Sequence, residues 1–288
     1  MPTKGSDPLT IIAGGGSVPV YVARAAARLG RPVQIVGLVG EAERGIEEFP
    51  HEWLKWGEIG RLESILAAHG TRDIVLVGGI HSRPDFSTVK VDFGTLRVLP
   101  EVLKLLAAGD SDLLSGVVQM LAKRGYRVVG AHEVAGDLVA GPGPIGGRTA
   151  DRGAKRDVER AMRAAQAIGA IDAGQAAVAV NGRIVALEAA EGTDGMLERV
   201  AALRAAGRLK WNGRAGVLAK CAKPQQDLRV DMPTIGPRTV EAAARIGLAG
   251  IAIETGRVMI VDREEVVRRA DAEGIFVTGE APLAESGA

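Results

Sequence analysis

The sequence predicts an α/β protein of two domains, a parallel-sheet domain followed by a mixed α+β domain. Three observations carry the prediction. The chain has 288 residues, 47% of them hydrophobic, more than one hydrophobic core usually spans. Through the first half, short β-branched runs alternate with helical periodicity, the pattern of parallel strands joined by helical crossovers. Between Gly136 and Gly153 lie Gly141, Pro142, Gly143, Pro144, Gly146 and Gly147, a composition that supports neither helix nor strand. The boundaries follow: a parallel-sheet domain over 1–135, a Gly/Pro-rich linker over 136–152, and a mixed α+β domain over 153–288.

In chain order, the first domain reads as strand 9–13, helix 19–29, strand 33–37, helix 60–68, strand 74–77, helix 98–107, a helix capped by Asp110 or Ser111 and running to Arg124, and strand 126–129. About four parallel strands result. Ligands of such sheets sit beyond the carboxyl ends of the strands, here Gly14-Gly15-Gly16, Gly37 to Gly40, Gly78-Gly79-Ile80-His81 and Gly130-Ala131-His132-Glu133. The second half opens with helix 153–168. Runs 176–180 and 183–187 flank Asn181-Gly182, a hairpin signal because both residues tolerate the positive φ of a type I′ turn. Helix 194–205, strand 216–220, helix 238–246, a hairpin of 251–254 with 257–261, helix 263–273 and strand 275–278 complete it.

Composition narrows the function. Lys and Arg number 36 against 35 Asp and Glu, a net charge of +1, so no strong field draws in nucleic acid or an anionic membrane. Aromatic residues make up 3%, too few for base-stacking platforms. No apolar run approaches the ~18 residues that cross a bilayer, leaving peripheral contact as the only membrane mode expected. A single Cys221 and a polar start without a signal-peptide core point to the cytoplasm; with no His near it in sequence and no Cys/His zinc spacing in the chain, Cys221 reads as a buried, inert thiol.

Several stretches carry chemistry. Gly14-Gly15-Gly16-Ser17-Val18-Pro19 follows a strand and opens a helix, so its N–H groups suit an anion, or merely a tight turn. Pro19 stands where the third glycine of a dinucleotide fingerprint belongs, which argues against a nicotinamide-dependent oxidoreductase. His81, Arg83 and His132 lie on the expected ligand rim, where His81 and Arg83 could bind phosphate oxygens, or Arg83 could merely pair with Asp85 around the Pro84 turn. Glu188-Ala189-Ala190-Glu191-Gly192-Thr193-Asp194 brings hard oxygen donors of the kind Mg²⁺ prefers, with Thr193 or Asp194 also placed to cap a helix. Lys220, Lys223 and Arg229 gather cations immediately before Asp231, Pro233 and Thr234; cations suit pyrophosphate oxygens, and a carboxylate can hold a metal or take a proton from water.

Taken together, Gly14-Gly15-Gly16-Ser17-Val18-Pro19, Ser82-Arg83-Pro84-Asp85-Phe86, Gly130-Ala131-His132-Glu133-Val134, Glu191-Gly192-Thr193-Asp194 and Arg229-Val230-Asp231-Met232-Pro233-Thr234-Ile235-Gly236 resemble the LpxI-type UDP-2,3-diacylglucosamine pyrophosphatases over roughly residues 9–280. The resemblance implies a Rossmann-like first domain, a second domain of unusual fold that carries the catalysis, and a metal-dependent hydrolase of lipid A biosynthesis. Its products would be UMP and 2,3-diacylglucosamine 1-phosphate, its setting the cytoplasm of a Gram-negative cell beside the inner membrane, with a homodimer compatible. The family's important aspartate falls on Asp231. Mg²⁺ is expected on Asp231 with Glu191 or Asp194, and substrate on Gly14, Gly15, Gly16, Ser17, Arg83, His132, Thr193, Lys220, Lys223, Arg229 and Thr234. A nucleotide-sugar-binding protein without turnover is the non-enzymatic alternative. Met232 replaces an expected Leu, a change that keeps volume and apolarity.

Overall fold

The structure is a computed structural model and describes residues 7–80, 92, 95 and 110–282. The chain divides into two compact units, residues 1–136 with 227–231, and residues 137–226 with 232–288. Arg83, His81 and the helix expected over 98–107 lie outside the described residues.

In the first unit the described residues form an all-parallel five-stranded sheet in the order β3-β2-β1-β4-β5, where β1 is Leu9–Ala13, β2 Val33–Leu38, β3 His51–Leu54, β4 Asp73–Val77 and β5 Arg127–Val128. The helices are α1 (Val18–Arg28), α2 (Ile59–Ala68), α3 (Asp110–Lys123) and the single turn α4 (Ala131–Val134). β1 and β2 are buried almost throughout, so their near-continuous apolar runs are what a sheet covered on both faces requires. Val22, Ala23 and Ala26 of α1 are buried. Leu66 of α2 and Val118 and Leu121 of α3 pack with Ile74 and Val128. The sheet has one strand more than expected. β3 is an edge strand whose His51 and Glu52 face solvent, so it lacks the apolar alternation that betrays a strand.

At the amino ends of the strands Asp73, almost fully buried, accepts from Arg31 Nη2 at 2.7 Å and from Arg127 Nε at 2.7 Å and Nη2 at 2.8 Å. One carboxylate thus ties the starts of β2, β4 and β5 together. Strand order reverses between β1 and β4, and the loops leaving these two strands define the crevice where open α/β sheets bind ligands.

The second unit's described residues form a mixed six-stranded sheet in the order β6-β13-β11-β9-β7-β8: β6 Gly143–Pro144, β7 Ala176–Val180, β8 Arg183–Leu187, β9 Val217–Lys220, β11 Gly250–Glu254 and β13 Phe276–Glu280. A separate parallel pair joins β10 (Thr234–Ile235) to β12 (Met259–Ile260). Strand alternation divides the core. Val178, Leu218, Ile251 and Ile253 face α6 (Gly192–Ala205), α7 (Pro237–Arg245) and α8 (Arg263–Glu273). Ala177, Ala179, Ala219 and Ala252 face α5 (Arg152–Ala170), through its Ala161, Met162 and Ala165. The β7–β8 turn has Asn181 at φ 51° and Gly182 at φ 77°, the left-handed pair expected of Asn-Gly.

Two expectations are corrected here. Residues 251–261 do not form a hairpin: β11 is flanked on both edges by β9 and β13, so no edge is free for the following segment, and β12 pairs with β10 instead. The 136–152 stretch is not without structure, because Gly143–Pro144 pairs antiparallel with β13; proline is tolerated there as an edge-strand residue. Segment 227–231 belongs with the first unit although the chain places it amid the second, and Val230 packs against the Leu66–Ile74–Val118–Leu121–Val128 cluster.

Candidate active site

In the first unit the candidate residues begin at the switch point. Gly14 N donates to Val77 O at 3.0 Å, and Gly15 and Gly79 exchange hydrogen bonds at 2.7 and 2.9 Å. A Cβ on Gly14 would lie 2.5 Å from Gly79 O and 2.8 Å from Gly78 O, so glycine is required for the two loops to touch. The N–H groups of Gly14 and Gly15, both residues expected on substrate, donate to Val77 O and Gly79 O of the β4 loop. Gly16 N instead donates to Glu43 Oε1 at 3.2 Å. A carboxylate on this N–H at the head of α1 is the kind of partner the helix dipole favours. Ser17 is the N-cap of α1 and makes no side-chain capping bond. Glu43 carried no signal in the sequence, lying among several acids before a short 3₁₀ turn.

His132 sits in α4, beyond the end of β5. Glu133 Oε1 accepts from Gly130 N at 2.7 Å, fixing this turn, and the imidazole lies against Gly130. His132 Nδ1 is buried without a hydrogen-bond partner among the described residues. Burial holds its pKa below the ordinary value, against the opposing pull of Glu133, which favours the neutral imidazole over the cation.

The 227–231 segment is a tight turn: Val230 N and Asp231 N both donate to Asp227 O, at 3.1 and 2.9 Å. Arg229 grips Asp227 through Nε at 2.9 Å and Nη2 at 2.6 Å, and these hydrogen bonds hold the Asp227 carboxyl below its ordinary range despite partial burial. Arg229, expected on a phosphate, thus spends one edge of its guanidinium organising the turn that presents Asp231. Asp231 itself is exposed, on a backbone anchored by Val230 packing beneath it.

In the second unit, alternation along β9 turns Lys220 toward α6 and α7. It is 8% exposed, and Nζ donates to Thr193 Oγ1 and to Thr234 O, each at 3.0 Å. Thr193 Oγ1 donates onward to Glu188 Oε2 at 3.2 Å, and Glu188 is buried as well. Burial lowers the Lys220 pKa while Glu188 and Asp194 pull it back up. The structure therefore joins Lys220, Thr193 and the backbone of Thr234 in one relay and adds Glu188, which composition alone left as one acid among three. The Thr234 hydroxyl turns back to Met232 O at 3.1 Å.

Other expected residues are engaged elsewhere. Glu191 pairs with Arg199 at 2.6 Å; Asp194 meets Arg238 at 3.3 Å across an exposed surface; Lys223 pairs with Asp172 at 2.8 Å. Neither Thr193 nor Asp194 is the N-cap of α6; that position is Glu191, without a side-chain capping bond. Cys221 is buried, and burial followed by the Glu254 charge pushes its thiol far up, in keeping with an inert thiol. Among the described residues no group of three or more His, Cys, Asp or Glu is assembled to hold a metal ion, and no helix is long and apolar enough to cross a membrane.

A Rossmann-like unit with a glycine turn at its switch point, and a second unit with a buried lysine relay at the carboxyl end of a central strand, define a two-unit α/β protein. Comparison with known proteins places it more finely. The LpxI N-terminal domain matches residues 8–138 and the LpxI C-terminal domain residues 141–278. Over 274 residues the chain is 42% identical to the UDP-2,3-diacylglucosamine pyrophosphatase LpxI of Caulobacter vibrioides, an alignment covering 95% of this chain and 98% of that one. The chain belongs to the LpxI family.

Proposed function

We propose that this protein hydrolyses the pyrophosphate bond of UDP-2,3-diacylglucosamine, releasing UMP and 2,3-diacylglucosamine 1-phosphate for lipid A synthesis on the cytoplasmic side of the inner membrane. The observation that carries the reading is the near full-length 42% identity to a pyrophosphatase of that name. The local chemistry supports it. Gly16 N–H and Ser17 at the head of α1 offer an anion contact once Glu43 yields it. His132 supplies a neutral hydrogen-bonding ring on the same unit.

Asp231 is the group we place at the reacting bond. Its exposed carboxylate can accept a proton from the attacking water or hold Mg²⁺. Magnesium is usually held by one or two protein carboxylates together with waters and substrate phosphates, so the hard oxygens of Asp231 would suit it without a dedicated cage. When bound, such an ion would neutralise phosphate charge and acidify a bound water. Glu191 and Asp194 already have arginine partners; the exposed Asp194–Arg238 pair is the weaker and the more readily exchanged. Lys220 supplies a positive end to its relay, with Thr193, Thr234 and Glu188 fixing the amine. Lys223 is available for phosphate by exchange from Asp172.

Metal removal tests the metal part separately. EDTA is expected to lower UMP release by at least about 100-fold, the lower range of loss when a catalytic proton-transfer or activating group goes, and added Mg²⁺ to restore it. An EDTA-treated, metal-stripped chain that keeps its full rate rules the metal out.

A further inference from the structure

We propose that the outward face of α5 is a docking surface for an anionic lipid bilayer. α5 buries Ala154, Val158, Ala161, Met162, Ala165 and Ile168. At 3.6 residues per turn its opposite side carries Arg152, Arg156, Arg160 and Arg163 within about a quarter of the helix circumference, with Lys155 at the margin; all five are exposed. Only Arg163 has an ion pair among the described residues, with Glu159 at 2.8 Å. Glu159 and the N-cap Asp151, which accepts from Ala154 N at 2.7 Å, are the acids on this helix face. The whole chain carries a net charge of only +1, so this concentration of cations is local.

The arrangement works against the helix. Cations in the first turns oppose the macrodipole, and Arg152–Arg156 and Arg156–Arg160 are like-charge pairs four residues apart, each destabilising by a few tenths of a kcal/mol. Arg156 and Arg160 also line an open hollow of about 240 Å³ with Gly153, Asn181 and Gly182. Its turn is held rigid by buried Asp157, which accepts from Asn181 N at 2.9 Å and Gly182 N at 2.6 Å. Exposed Arg183 borders the same turn. A lipid phosphate fits such a hollow in size and charge. At the far end of α5 the face becomes apolar, with Ala167, Ala170 and Ile171, the last 76% exposed. Cations followed by an exposed aliphatic side chain are the two elements of interfacial binding. The choice of a bilayer as occupant rests on the proposed diacyl substrate, which resides in one.

The test uses the full chain and vesicles without any UDP-lipid, so it is independent of turnover. Cosedimentation with phosphatidylglycerol/phosphatidylcholine vesicles should exceed that with phosphatidylcholine alone, and fall as salt rises from about 0.1 M to about 0.5 M. Each cation near such a surface adds about fivefold to partitioning, so Arg156→Glu with Arg160→Glu should lose at least about 25-fold. Arg156→Lys with Arg160→Lys should retain binding, and both variants should keep wild-type activity on detergent-dispersed substrate. Equal sedimentation with both vesicle types, loss of binding in the lysine variant, or binding of RNA in place of vesicles would overturn the proposal. If the wild type sediments with anionic vesicles yet releases no UMP, the docking surface stands and the proposed activity fails.

Discussion

Asp231→Asn is expected to lower UMP release by about 10²–10⁴-fold, the range spanned by a lost proton-transfer group. Asparagine keeps the shape of the side chain, but it cannot take a proton from water and is a poor partner for Mg²⁺. The backbone at Asp231 is held by the Asp227 carbonyl and by Val230 in the first unit's apolar cluster, so the folded state should be unaffected. Single-turnover UMP release with the thermal midpoint measured alongside checks this: the rate should collapse while the midpoint stays within a few degrees. A variant that keeps its rate removes Asp231 from the chemistry.

The largest expected effect on stability is at the amino ends of the first unit's strands. Asp73→Ala leaves the Arg31 guanidinium, 3% exposed, buried with, among the described residues, only the Asp7 carbonyl at 3.1 Å. Breaking a buried ion pair by removing one partner costs about 3–5 kcal/mol, a large share of the ~5–15 kcal/mol that holds a domain together. Burial pushes the Asp73 pKa up, but hydrogen bonds from Arg127 and Arg31 outweigh it and bring the carboxyl below its unfolded value of 3.8. A depressed folded pKa contributes stability that is fully present above the unfolded value and is lost as the pH falls through the folded one. Urea unfolding should therefore show the wild type losing stability as the pH drops below that unfolded value, with this component missing in Asp73→Ala. Equal midpoints for the two proteins at pH 7 would contradict the assignment.

What was legible in the sequence follows from which interactions are local. β1, β2 and β4 announce themselves because a strand covered on both faces must be apolar along its length. The β7–β8 hairpin is readable because Asn181 and Gly182 tolerate positive φ. β3 escaped because its edge position lets His51 and Glu52 face water, and β6 because Gly143 and Pro144 read as a break until β13 offers them an edge. The false hairpin at 251–261 has the same origin: short spacing suggests local pairing, whereas β11 is claimed on both sides by strands far along the chain.

Residue types at the site were readable, and their partners were not. Lys220, Thr193 and Thr234 come together only because β9, α6 and β10 do. Nothing in the order of residues says that Arg229 will grip Asp227, that Glu191 will take Arg199, or that Glu43 will meet Gly16. In the glycine turn, Gly14 and Gly15 serve the contact between two loops, and the Gly16 N–H meets the Glu43 carboxylate.

We propose that this chain cleaves between the two phosphorus atoms of a nucleotide-linked diacyl sugar. The most direct test is product identity: purified protein incubated with UDP-2,3-diacylglucosamine and Mg²⁺, with products resolved by phosphorus NMR and mass spectrometry. UMP and 2,3-diacylglucosamine 1-phosphate are expected in equal amounts. Intact substrate after prolonged incubation with folded protein, or UDP with the free diacyl sugar, would contradict it.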